Sequence, residues 1–127
     1  MTPSMFIAAF VAALVSMFLG ALWYSPLVFG GTWRRLVGLE HEPNPIAAYG
    51  GAFSLMLVGA VIFGAFIGPD PSLGLALGAG SSAGVAWAAG SLWISYLFEA
   101  RSVTLGLING GYHIAQYTIV GLVFWAI

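Results

Sequence analysis

Four polar side chains stand in an apolar stretch late in the chain: Asn109, Tyr112, His113 and Gln116, within LGLINGGYHIAQYTIVGLVF. Asn109, His113 and Gln116 are spaced i, i+4 and i+7, which puts them on one face of a helix. Tyr112 flanks that face and Tyr117 borders it. Imidazole is the side chain that exchanges protons near neutral pH, so His113 is a candidate relay. The amides of Asn109 and Gln116 and the phenol hydroxyls can line a polar route or hold a small polar ligand. Just upstream, Glu99 and Arg101 are the acid and base nearest this stripe. Two residues apart, they do not face each other on a continuous helix, but in a turn they pair, close a hairpin or guard the mouth of a path. A different reading needs no ligand. The stripe is then an interhelical hydrogen-bond network that fixes packing, with Ser16, Ser54, Ser81, Ser82, Ser91 and Ser95 as partners, each bond contributing about 1 kcal/mol.

The elements that position these residues follow from composition. The chain has 127 residues, 61% hydrophobic and only 6% charged, against about 25% charged in soluble domains. So few charges cannot cover a water-facing surface, and lipid is the expected solvent. The three basic residues are all Arg and the net charge is −1, which excludes a basic nucleic-acid footprint. Cysteine is absent, so disulfides and thiolate metal sites are excluded. Eighteen glycines and 15% aromatics suit a membrane bundle, in which small residues allow close approach and rings anchor the interfaces.

Four apolar runs predict an all-α integral membrane protein, one domain over residues 1–127. About 20 residues cross a ~30 Å hydrocarbon layer. The spans are expected at 5–24, 46–67, 72–98 and 103–127. No Lys or Arg precedes Met5, so the first run reads as a retained helix and not a signal peptide; Ser25-Pro26 ends it. Residues 27–45 form the longest polar interval. Its Phe29, Trp33, Arg34 and Arg35 suit a headgroup-level segment, and Glu40, His41 and Glu42 read as a solvated loop, with a metal site there the weaker alternative. Asp70 between Pro69 and Pro71 marks a tight turn and is a candidate cap for the next helix, and Ser102 is a candidate N-cap. In the second run Gly64 and Gly68 form a GxxxG pair that Ala60 extends. The third run carries two ridges of small residues at four-residue spacing. One is Gly74, Gly78, Ser82, Ala86, Gly90; the other is Ala76, Gly80, Gly84, Ala88. One ridge is expected to pack within the chain and the other against a second copy, a dimer first.

Counted from Ser102 at 1.5 Å per residue, Asn109 lies ~10 Å deep, His113 ~16 Å and Gln116 ~21 Å. Polar groups at that depth belong inside the protein. Trp23, Trp33, Trp93, Tyr24 and Tyr96 are expected in an aromatic belt at one face, with Trp87 deeper in the packing. Arg34, Arg35 and Arg101 fall in the first and third connections. The positive-inside rule then places those connections in the cytoplasm and both termini outside, in the plasma (inner) membrane. Finally, G-[AS]-L-W-x-S-x-L occurs twice, at Gly20–Leu27 and Gly90–Leu97. The echo predicts two similar tandem hairpins related by a pseudo-twofold along the membrane normal.

No catalytic set accompanies the single intramembrane His: it has no acid partner and there is no serine nucleophile motif. No phosphate-cradling Gly motif precedes a helix. An enzyme, a cofactor and a bound metal are therefore not expected.

The segments LWYSPLVFGGTW and YLFEARSVTLGLINGGYHIAQY resemble the bacterial and fungal membrane-protein family called domain of unknown function 1761, and the resemblance runs over essentially the whole chain. It implies four transmembrane helices and brings no activity with it. Its signature elements fall on Ser25-Pro26, Glu99, Arg101, Asn109 and His113. The leading expectation is a protein that binds or conducts a small solute, ion or proton along Asn109, Tyr112, His113 and Gln116, with Glu99 and Arg101 at the cytoplasmic mouth. The alternative is a non-transporting structural or accessory subunit whose polar stripe is structural.

Overall fold

The computed structural model describes residues 1–127. It is all helical: α1 (Pro3–Trp23), α2 (Gly30–Val37), α3 (Pro45–Ile67), α4 (Leu73–Phe98) and α5 (Val103–Ala126). Each long helix opens on a side-chain cap. Thr2, Asn44, Ser72 and Ser102 accept from the backbone N–H of Met5, Ala47, Leu75 and Leu105, which satisfies a donor that the first turn leaves free. Pro3 and Pro45 follow two of these caps at the first helical position, where a missing N–H costs nothing. Asp70 does not cap α4; Ser72 does, and Asp70 takes a positive φ of 51° in the turn before it.

The short helix α2 carries Arg34 and Arg35 in its last turn, where cations suit the helix dipole. It ends on Gly38 at φ 62°, a conformation that glycine adopts without strain. Arg34 then reaches Glu42 at 2.7 Å. Glu40, His41 and Glu42 do not converge on a common point, and no group of three such side chains is placed to hold an ion.

The core is built from small residues. Ala8, Ala9, Ala12 and Ala13 of α1 are almost wholly buried, with Ala60, Phe63 and Gly64 of α3 and Val120 and Phe124 of α5. An alanine or glycine at the contact brings two helix axes close, so many backbone atoms meet at van der Waals distance. Gly64 lies under the Phe124 ring. On α4 the ridge of Ala76, Gly80 and Gly84 seats directly on α5: Gly80 faces the main chain of Tyr117, and Gly84 that of His113 and Ile114. Gly121 of α5 returns the contact against Ala76. The other ridge points outward, and nothing lies near Gly74 or Gly78.

Midway along α4, residues Ala83–Ala89 wind as a π-helix. This form is rare and tends to occur at functional sites.

The helices do not form two equivalent hairpins. α1 packs on α3 and on α5, and α4 packs on α5, but α3 and α4 scarcely meet. A pseudo-twofold that paired α1 with α5 would pair α4 with α3 as closely. Trp23 and Trp93, the echoing tryptophans, converge instead on one helix: Trp23 covers Gly111 of α5 and Trp93 covers Gly106 and Gly110. The corresponding Gly50 and Gly51 of α3 face open space, and the buried residues of α3 all lie in its second half, at Ala60, Phe63 and Gly64.

Three helices are long and apolar enough to cross a membrane: Pro3–Trp23, Pro45–Ile67 and Leu73–Phe98. The expected count was four. α5 has the length, 24 residues, but its Asn, His, Gln and Tyr side chains lower its apolar character below that of a free-standing span.

Candidate functional site

The polar stripe of α5 is held by residues from α1 and α4. The Tyr24 hydroxyl donates to Asn109 Oδ1 at 2.7 Å, and Asn109 Nδ2 donates to the Tyr96 hydroxyl at 2.7 Å. Asn109 thus bridges the end of α1 to the end of α4. The Tyr112 hydroxyl donates to the Ser16 carbonyl of α1 at 3.1 Å, and Trp23 Nε1 donates to the Ile108 carbonyl at 2.9 Å. Around these bonds the rings of Tyr24, Tyr112 and Trp33 stack edge-on or tilted, with centroids 5.4 to 5.5 Å from Tyr24. Tyr112 and Gln116 are buried, at 5% and 7% exposure.

Two expectations change here. The partners of the stripe are not serine hydroxyls. Ser54 and Ser81 fold back on carbonyls of their own helices, the usual habit of serine inside a helix. The tyrosines and tryptophan placed in an interfacial belt do the bonding instead: Trp23, Tyr24 and Tyr96 turn inward onto α5. Trp87, expected in the packing, is 73% exposed.

His113 Nδ1 lies 3.0 Å from Gln116 Oε1, one turn on along the same helix. With the amide oxygen accepting, Nδ1 carries the proton and Nε2 keeps a bare lone pair. His113 stays half-buried, between the buried Tyr112 and Gln116. On the α1 side, Ser16 is fully buried and its Oγ has no partner.

Glu99 and Arg101 do pair. Ala100 between them adopts φ 52°, which ends α4 and turns both neighbours to one side; Arg101 N–H closes the turn on the Tyr96 carbonyl at 3.0 Å. Arg101 Nε then donates to Glu99 Oε2 at 2.9 Å, and its guanidinium stands 5.7 Å from the centre of the Tyr96 ring. The pair therefore adjoins the stripe through Tyr96. All six site residues expected from sequence, Glu99, Arg101, Asn109, Tyr112, His113 and Gln116, lie along one line from this turn into α5. The line also includes Tyr24 and Tyr96, which the sequence places in an interfacial belt, and Ser16, which it offers as a hydroxyl partner and which bonds through its carbonyl instead. The echo does not find the two tyrosines, since Tyr24 aligns there with Ile94 and Tyr96 with Pro26.

A family model described as "Protein of unknown function (DUF1761)" matches residues 7–125. The chain belongs to that family. The match takes in every part of the stripe and the Glu99–Arg101 turn. No curated protein matches the chain, and no solved structure does.

Proposed function

We propose that this DUF1761 chain is a four-span membrane bundle acting as a structural or accessory subunit, with the α5 stripe as its internal lock. One observation carries this reading: Asn109 is bonded at both ends of its amide, to Tyr24 of α1 and Tyr96 of α4. With its carbonyl oxygen and its NH2 group each tied to a fixed tyrosine, the amide is held in one orientation and ties three helices together. α5 crosses the membrane in this proposal because its polar groups are turned onto α1 and α4 and away from lipid, which removes most of their transfer cost. The Arg-bearing connections face the cytoplasm, in a plasma membrane. The outward ridge of Gly74, Gly78 and Ala86 offers a partner helix, or a second copy of the chain, the close approach that association in lipid needs. No catalysis is part of the proposal.

A second reading rests on a different observation. His113 is half-exposed, its Nε2 has no partner within the chain, and the buried Ser16 Oγ of α1 is unpaired. These groups have capacity left for a proton or a small polar solute. Reconstitution into vesicles with an internal pH dye separates the two. The structural reading expects no proton flux above that of empty vesicles after a pH jump. Flux carried by the native chain and abolished in a folded His113→Ala variant would replace it with the second.

A further inference from the structure

Where α3 and α4 fail to meet, a lateral groove of about 640 Å³ opens. It faces sideways, toward the acyl chains in the membrane reading. Ile62 and Phe66 of α3 form one wall, Leu75 and Trp87 of α4 the other, and Tyr117 of α5 the floor. This volume falls in the range of sites for drug-sized ligands. In a bilayer a lateral groove is never empty, so its occupant is a question of fit, and an acyl chain is the default.

Two features argue against the default. The first is polar. Tyr117 and Ser82 both line the groove, and neither hydroxyl makes a hydrogen bond within the chain. Their neighbours behave differently: Ser81 bonds the Leu77 carbonyl and Thr118 the Ile114 carbonyl. Ser82 is ten residues into α4 and Tyr117 nine residues before the end of α5, so each lies ~14 to 15 Å from the same end of the bundle. That is the centre of the hydrocarbon, where an acyl tail has no atom that can accept a hydrogen bond and an unpaired hydroxyl is costly. The second feature is the π-helical segment. It begins directly after Ser82, and its Ala83, Trp87 and Ala88 continue the α4 wall that Leu75 and Ala79 begin. The winding of α4 thus changes partway along the groove, next to Ser82.

We infer that this groove is a binding site for a bilayer-dissolved hydrophobic carbonyl compound, a ketone or quinone-like molecule whose oxygen accepts from Tyr117 and Ser82. The apolar walls hold the body of the molecule and the two hydroxyls fix its oxygen at the membrane centre. Trp87 lines the groove and is largely exposed, so it would contact a ring or chain entering from lipid.

The test uses two photoreactive probes in reconstituted vesicles: a sixteen-carbon ketone with an alkyl diazirine, and the hydrocarbon of equal length with the same diazirine. The expected result is saturable labelling of peptides containing Phe66 and Trp87 by the ketone, displaced by unlabelled ketone and not by unlabelled hydrocarbon. Tyr117→Phe and Ser82→Ala each remove only an oxygen. Each should weaken ketone labelling about fivefold, the loss of one neutral hydrogen bond, and leave hydrocarbon labelling unchanged. Ile62→Trp narrows the groove without touching either hydroxyl and should block both probes. Equal labelling by the two probes, or labelling unchanged in both hydroxyl variants, would overturn the inference and leave an ordinary lipid-filled crevice. Protein–protein cross-links through the groove that exclude both probes would overturn it in favour of a second copy.

Discussion

The two small-residue ridges of α4 are alike in sequence and opposite in surroundings, and that contrast gives a sharp prediction. A methyl group added at Gly84 would lie 2.7 Å from Ile114 Cα and 3.0 Å from the His113 carbonyl oxygen. Ordinary contact begins near 3.4 Å, so the methyl is about 0.7 Å too close to backbone, which cannot swing aside as a side chain can. The helices must separate, and the loss spreads to Gly80 and Gly121 on the same seam. Overpacking of this kind costs about 1–3 kcal/mol. Alanine recovers up to about 1 kcal/mol of helix propensity. Gly84→Ala should therefore destabilise by roughly 1–2 kcal/mol, and Gly84→Leu by more. At Gly78 nothing lies within 4 Å, so Gly78→Ala should be neutral or stabilising within the chain. The assay is reversible unfolding in mixed micelles at rising sodium dodecyl sulfate fraction, read by circular dichroism. Equal stability of Gly84→Ala and Gly78→Ala would refute the assignment of the inner ridge. A normal Gly84→Leu variant would show that the α4–α5 seam is not as close as described.

Other outcomes follow from single contacts. Tyr24→Phe and Asn109→Leu, measured singly and together in the same micelle assay, should show coupling of about 0.5–1.5 kcal/mol; strict additivity would mean the bond is not made. Ala100 sits at φ 52°, so Ala100→Gly should stabilise by about 1 kcal/mol, and a loss of stability would contradict that turn. Arg34 holds the Glu42 carboxyl below its ordinary range through a hydrogen bond first and charge second. A lowered folded pKa stabilises the loop above the ordinary carboxylate pKa, and that contribution fades as pH falls through the folded value. A nitroxide on Glu40→Cys, clean because the chain has no cysteine, should be restrained at pH 7 and gain mobility only once the pH falls below the ordinary carboxylate range. Mobility independent of pH would show that Glu42 does not hold the loop.

The long helices were legible because proline and glycine punctuate four apolar runs, and the cap Ser102 stands where such a residue belongs, whereas Asp70 was offered as the cap that Ser72 supplies. The helix α2 was read only as a headgroup-level segment: eight residues with two charges give too little periodicity for a helix to be claimed. The face shared by Asn109, His113 and Gln116 was legible from spacing alone. Its partners were not, because Tyr24 and Tyr96 sit at helix ends, where a tyrosine equally suits the interface, and sequence does not record which way it turns. Nor does spacing separate the buried ridge of α4 from the exposed one, since both repeat every four residues. Trp87 was misplaced for a related reason: depth along a helix is readable, but direction around it depends on which neighbours arrive. The π-helical turn left no sign in composition.

The composition of α5 has a consequence for how the protein is made. A helix bearing Asn, His, Gln and two Tyr side chains has a weak claim on lipid by itself, and its partners Tyr24 and Tyr96 lie earlier in the chain. When α5 emerges from the ribosome, the groups that neutralise it are already synthesised. In the four-span arrangement its entry into the bilayer is then a docking step onto a waiting α1 and α4, and not an independent partition from the translocon. Loss of Tyr24 or Tyr96 would be felt first in biogenesis, as chains whose α5 is left out of the bilayer and cleared by quality control.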